Sequence, residues 1–122
     1  MIRVIKSFLT DILHINDLYN LVVLQIQDIS KFNNEIFNVG GGNDVSVSLN
    51  ELTNYCQEIT GNTIKMNKIV ENRTADIPIY ISNNSKIEEL SGWRPLIYPK
   101  EILIDIFEWL KNNEAKVKEI LS

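Results

Sequence analysis

One cysteine and one histidine in 122 residues leave little material for metal or thiol chemistry. Cys56 cannot form an internal disulfide, and with His14 as the sole imidazole the usual zinc-ligand spacing cannot be assembled. Cys56 sits on a helical pattern among apolar neighbours and reads as a small core residue rather than a nucleophile. His14 would have to serve any hydrolase triad, yet no nucleophile motif accompanies it. Its apolar surroundings point instead to a packed, hydrogen-bonded side chain. Twelve basic residues are outnumbered by sixteen acidic ones, mixed along the chain, for a net charge of −4. Bulk charge therefore attracts neither nucleic acid nor an anionic membrane. No apolar run reaches membrane-spanning length, and Asp11 interrupts the only hydrophobic stretch near the start, so no signal peptide is expected. The Asn-x-Ser/Thr matches at Asn72 and Asn83 then read as chance in an Asn-rich chain, and the expected setting is cytoplasmic.

What is present is one domain's worth of mixed α/β pattern, residues 1–122, with 44 % hydrophobic residues to build a small core. Its most legible stretch runs from Phe37 to Gly61. Ile36, Phe37 and Val39 form a short apolar run of strand character that ends in Gly40-Gly41-Gly42. Val45 and Val47 alternate with Ser46 and Ser48. Ser48 and Glu51 form a capping box, and Leu49, Leu52, Tyr55, Cys56 and Ile59 recur at helical spacing before Gly61 supplies a left-handed stop. The glycine triplet does not match a dinucleotide fingerprint: the third glycine position holds Val45, and no helix opens at the turn. A structural tight turn is the favoured reading, with a turn that lets a ligand approach closely as the alternative.

Around that stretch, Phe8 to Ile15 reads as a strand, and Asn16 or Asp17 as the cap of a helix through Leu18 to Ile29. That helix is apolar over most of its circumference, as helices inside larger proteins are. Thr63 to Val70 reads as a strand, 71–76 as a polar loop, and Ile77 to Ile81 as an edge strand because of Pro78. Asn83 is expected to cap a short helix with Ile87 and Leu90 that stops at Gly92. A last helix opens at Pro99 and buries Leu103, Ile106, Phe107 and Leu110, flanked by Ile102 and Trp109. Beyond Asn113 a frayed, charged helical extension is expected.

Among polar residues, Arg73 and Asp76 share the loop between two strands. A guanidinium fork suits phosphate oxygens, and a nearby carboxylate can orient it or accept a ribose hydroxyl. On spacing alone, a solvated surface ion pair is the better reading.

Four motifs in order alter that balance: the run Asp11 to Leu18 (DILHINDL), Phe37 to Gly42 (FNVGGG), Asn72 to Asp76 (NRTAD) and Gly92 to Pro95 (GWRP). Together they resemble the C-terminal part of the NAD-dependent nucleotide-sugar epimerase/dehydratase family, the extended short-chain dehydrogenases/reductases. The glycine triplet, the Ser-Leu-x-Glu-Leu run and Glu71-Asn72-Arg73 are most similar to CDP-paratose (CDP-tyvelose) 2-epimerases. The resemblance implies an α/β substrate-binding portion whose N-terminal NAD-binding Rossmann portion is absent. It implies Arg73 as a phosphate contact to a nucleotide-diphosphate sugar, Asp76 as a ribose or arginine-orienting partner, and a structural role for His14 and Asp17. Thr10 stands where the family usually has an arginine. No Rossmann fingerprint is present, and no lysine lies four positions after Tyr19, Tyr55, Tyr80 or Tyr98. NAD and the catalytic dyad thus belong to the intact family enzyme, in which epimers interconvert through a transient keto-sugar. No cofactor and no catalytic residue is expected for this chain alone. Its implied partners are a missing or separate Rossmann domain and a second copy in a homo-oligomer. The alternative is a non-catalytic interaction module or gene remnant that binds no sugar.

Overall fold

Two small sheets organise the computed structural model, which describes residues 2–5, 8–69 and 77–121. In the first, β1 (Ile2–Ile5) pairs in parallel with β4 (Met66–Ile69), Ile2 opposite Met66 and Ile5 opposite Ile69. The second has β2 (Leu9–Asp11) at its centre. β3 (Ser46–Ser48) runs antiparallel on one side and β5 (Ile79–Tyr80) parallel on the other. Pro78, which has no N–H to give, contributes its carbonyl to the Leu9 N–H at 3.0 Å. The edge position expected of this segment is therefore correct, and the extended stretch from Thr63 is a strand over its second half.

The strand expected over Phe8 to Ile15 is shorter, because the chain turns into α1 (Ile15–Gln27) at His14. The cap is His14 rather than Asn16 or Asp17: its imidazole Nδ1 accepts the Asn16 N–H at 3.0 Å. This meets the same need as a serine or aspartate cap, an acceptor for an orphan first-turn donor. After a break at Asp28 comes the single turn α2 (Ile29–Phe32). Residues 33–39 form no strand, correcting the reading of Ile36 to Val39. No neighbouring strand pairs with them here; Phe37 and Val39 instead turn toward the core while Ile36 stays 87 % exposed.

Ser48 and Glu51 form the expected capping box at the start of α3 (Leu49–Thr60), with Ser48 Oγ accepting the Glu51 N–H and Glu51 accepting the Ser48 N–H. Gly61 closes the helix at φ 70°. Beyond β5, α4 (Ser85–Ser91) ends at Gly92, φ 72°. Then α5 (Pro99–Asn112) opens on Pro99, and α6 (Glu114–Leu121) follows. In α5 the buried positions are Pro99 and Ile102, whereas Ile106 and Leu110 are exposed. The helix packs on α3, with Lys100 paired to Glu58 at 2.6 Å, and of the expected apolar face Leu103 and Phe107 are half-buried. The core is Leu21, Ile87 and Trp93, with Leu13, Phe32, Phe37 and Val39 packed around it. Val45 and Val47 are buried beside β2. Sealing side chains such as Leu21 and Ile87 contributes about 1.5–3 kcal/mol each.

Candidate functional site

The glycine triplet is tied into the sheet by groups far away in sequence. Asp11, at the end of β2, accepts the Gly42 N–H at 2.9 Å and the Ser82 N–H at 3.1 Å through one carboxylate oxygen. Partial burial pushes its carboxyl up. The hydrogen bonds from Gly42 and from the Ser82 hydroxyl and N–H outweigh this and hold it below the usual carboxylate value. Asn84 clamps the other side, accepting the Gly40 N–H at 3.1 Å and donating to the Gly40 carbonyl at 2.8 Å. A Cβ on Gly40 would run into Ser82 and Asp11, and one on Gly41 into the backbone of Ile12. Gly42 occupies the left-handed region at φ 67°.

The space beside these glycines is thus filled by protein, and the chain leaves the turn into β3 rather than a helix. A dinucleotide pyrophosphate needs open backbone N–H groups leading into a helix. The Gly42 and Gly40 N–H groups are already engaged, so this turn does not fit the pyrophosphate of NAD.

On the outer side of the turn lies an open cavity of about 410 Å³. It is lined by the turn from Gly41 to Asp44, the segment from Ile81 to Ser85, Glu88, Arg94 and Pro95. The Arg94 guanidinium is exposed and takes no part in the described ion pairs, and two carboxylates, Asp44 and Glu88, share the cavity wall. The arrangement can hold and orient a polar ligand. The Ser82 hydroxyl donates to the Asp11 carboxylate.

A second clamp joins α1 to the segment before α5. Asp17 is 2 % exposed, and its Oδ2 accepts the N–H groups of Leu96 at 3.1 Å and Ile97 at 3.0 Å. Its own carbonyl accepts the Trp93 indole N–H at 3.0 Å. His14 lies beside it, with Nε2 at 3.0 Å from Asp105 of α5. Because Nδ1 accepts the capping hydrogen bond, Nε2 carries the proton and donates to that carboxylate. Both residues therefore do structural work, as the resemblance implies.

Arg73 and Asp76, the residues implied as substrate contacts, lie outside the described residues, as does the rest of the 70–76 segment. In sequence this segment joins β4 to the approach of β5. Thr10 is exposed on β2, opposite Val47 and Tyr80. The sequence reading did not single out Asp11, Ser82 or Asn84. The available signal was a strand-end aspartate and an Asn-rich turn, each of which is common by itself. Among the described residues, no group of three His, Cys, Asp or Glu side chains is placed to hold a metal ion. Among these residues, too, no helix is long and apolar enough to cross a membrane.

No protein-family model matches the chain. Among curated proteins, it is 30 % identical over 114 residues to "Probable GDP-L-fucose synthase 1" of Oryza sativa subsp. japonica, covering 93 % of this chain and 33 % of that protein. It is 24 % identical over 99 residues to CDP-paratose 2-epimerase of Salmonella typhi, covering 81 % of this chain and 29 % of that one. Among solved structures, it superposes on the UDP-glucose-4-epimerase of Stenotrophomonas maltophila, crystallised with NAD and formylated UDP-arabinopyranose. The TM-score is 0.76 at 21 % identity, over 90 % of this chain and 32 % of that one. The chain spans about a third of the length of the relatives it matches.

Proposed function

We propose that this chain, a homologue of the NAD-dependent nucleotide-sugar epimerases/dehydratases of the extended short-chain dehydrogenase/reductase family, is the portion of such a protein that grips the nucleotide-diphosphate sugar. The observation that carries the reading is joint: relatives of this family match nearly the whole chain, and the same stretch adopts their fold. The intact protein would pair this portion with a Rossmann portion holding NAD, and there oxidise a sugar carbon to a transient keto-sugar. This chain would contribute binding and orientation, which can lower a barrier by several kcal/mol, but neither the hydride acceptor nor the acid/base dyad. Arg73 is assigned to a phosphate of the substrate, and Asp76 to its ribose or to orienting Arg73. A CDP-linked sugar is the substrate class favoured by the motif likeness, and the cytoplasm, where nucleotide sugars are made, is the setting.

The structure supports this division of labour through its rigidity around the open cavity. The glycine turn, Ser82 and Asn84 are held by Asp11 and by one another. The test is Arg73→Ala in a protein that unites this chain with a family NAD-binding portion. Substrate affinity is expected to fall by about 1.5–3 kcal/mol, roughly 10- to 150-fold, with little change in thermal stability. Unchanged substrate binding and Michaelis constants would return Arg73 to a surface ion pair.

A further inference from the structure

Strand β5 is two residues long, and its side chains do little to fix where it lies. Ile77, Ile79 and Tyr80 are 62, 63 and 59 % exposed, so burial does not select a register. Along the backbone, Leu9 pairs with Ile79 and Thr10 with Tyr80, and the Pro78 carbonyl accepts the Leu9 N–H at 3.0 Å. So short a ladder is weak. A slip of one residue would move the strand by about 3.3 Å and turn each side chain to the opposite face. The far end is held by a side chain instead. Asp11, the last residue of β2, accepts the Ser82 N–H at 3.1 Å, two residues beyond the end of β5. The same carboxylate oxygen accepts the Gly42 N–H at 2.9 Å, which braces it against the glycine turn. Asn84 ties the segment after Ser82 to Gly40, where even a Cβ would run into Ser82 and Asp11. A slipped β5 would have to break these bonds together.

We infer that Asp11 is a positioning residue for substrate binding: by pinning the register of β5 on β2, it sets where the chain delivers the segment that carries Arg73 and Asp76. The inference rests on the reading of this chain as the sugar-gripping portion. Asp76 stands three residues before the first residue of β5 in sequence, so the register of β5 decides the point from which that segment sets out. A shift of about 3.3 Å exceeds, several-fold, the range of lengths over which a hydrogen bond survives. Asp11 acts through β5 and touches no substrate itself. The role falls to a side chain because the ladder is too short, and its residues too exposed, to hold the register alone.

The test runs in the united protein used for Arg73→Ala, with CDP-glucose as the probe and NAD as the control ligand. Asp11→Ala is expected to weaken CDP-glucose binding about tenfold, and Asp11→Asn, which keeps one acceptor oxygen for the N–H groups, only about threefold. Both should bind NAD as the parent does. In the 122-residue chain the Leu9 amide, at the opposite end of the ladder from Ser82, should exchange about tenfold faster in Asp11→Ala while the amides of α3 keep their rates. If the alanine protein does not fold, the asparagine variant decides alone by the same two readouts. CDP-glucose binding weakened by Arg73→Ala but by neither Asp11 variant would overturn the inference and leave the sugar-gripping reading standing. Equal losses for CDP-glucose and NAD, or equal acceleration at Leu9 and in α3, would show general loosening and overturn it too. A parent protein that does not bind CDP-glucose, or an Arg73→Ala variant that binds it unchanged, would remove the reading and the inference with it.

Discussion

Replacing Asp17 by alanine should cost as much stability as truncating a core side chain, although it removes only a carboxylate. The carboxylate is buried at 2 % exposure, and one of its oxygens takes two backbone N–H groups, from Leu96 and Ile97. A hydrogen bond to a charged acceptor contributes about 1.5–3 kcal/mol net. Leu96 is itself 63 % exposed, so water reaches its N–H once the carboxylate is gone, and the lower figure applies to each bond. That gives about 3 kcal/mol, to which an anion in the first turn of a helix adds about 0.3–1 kcal/mol. Asp17→Asn keeps the shape and an acceptor oxygen but loses the charge, and should cost about half as much. The assay is urea unfolding followed by near-UV circular dichroism in a Trp109→Phe background, so that Trp93, whose indole is bonded to Asp17, is the reporter. With a urea dependence near 2 kcal/mol per molar, the alanine midpoint falls by about 1.7–2 M. A midpoint unmoved by alanine, or asparagine costing more than alanine, would refute the argument that two orphaned N–H groups are the source of the loss.

Gly41→Ala should abolish the cooperative transition or lower its midpoint severely, because its Cβ meets the Ile12 backbone, which has no flexible end to move; Gly61→Ala, with open space around its Cβ but φ at 70°, should cost only about 1 kcal/mol in the same urea titration. Asp11 has its folded-state pKa below the usual 3.8, so its contribution is complete above that value and is lost as pH falls through the folded value. Acid titrations of wild type and Asp11→Asn should therefore converge at low pH, and curves that stay parallel down the titration would contradict the assignment. The purified chain should show no epimerase activity on any nucleotide sugar, with or without NAD; turnover that persists through rigorous purification would show a catalytic apparatus within these residues.

Local devices in this fold were readable because their partners lie within a few residues. Ser48 finds Glu51 three positions on, Gly61 and Gly92 end their helices with their own backbone, and Pro99 starts a helix with its ring. Asp11 and Asp17 have partners 31 to 80 residues away, and a lone aspartate before or inside a helix announces nothing of them. The strand expected over Ile36 to Val39 was read from composition, but a strand also needs a neighbour to pair with, and none adjoins it here. Periodicity likewise located α5 but not its buried side. Ile102 is buried and Leu103 and Phe107 are half-buried while Ile106 and Leu110 stay exposed, a choice made by packing rather than by pattern. The sugar-gripping pair Arg73 and Asp76 was legible only through resemblance, since an arginine and an aspartate in a polar loop look like any other surface pair.

The clamp between Asp17 and Ile97 also sets a schedule. Eighty residues separate the two, and a ribosome adding about 5–20 residues per second takes roughly 4–16 s to travel from one to the other. During that interval α1 has emerged with its carboxylate, its Leu21 and its exposed Ile15, Tyr19 and Ile26, while Ile87, Trp93 and the N–H groups meant for Asp17 have yet to be made. Helices form in microseconds, so α1 waits as a sticky, half-formed surface for nearly all of that interval. Nascent-chain handling, rather than final stability, is then where a substitution among those exposed side chains of α1 would first be felt, and a ribosome-bound chaperone is the factor whose removal should expose it.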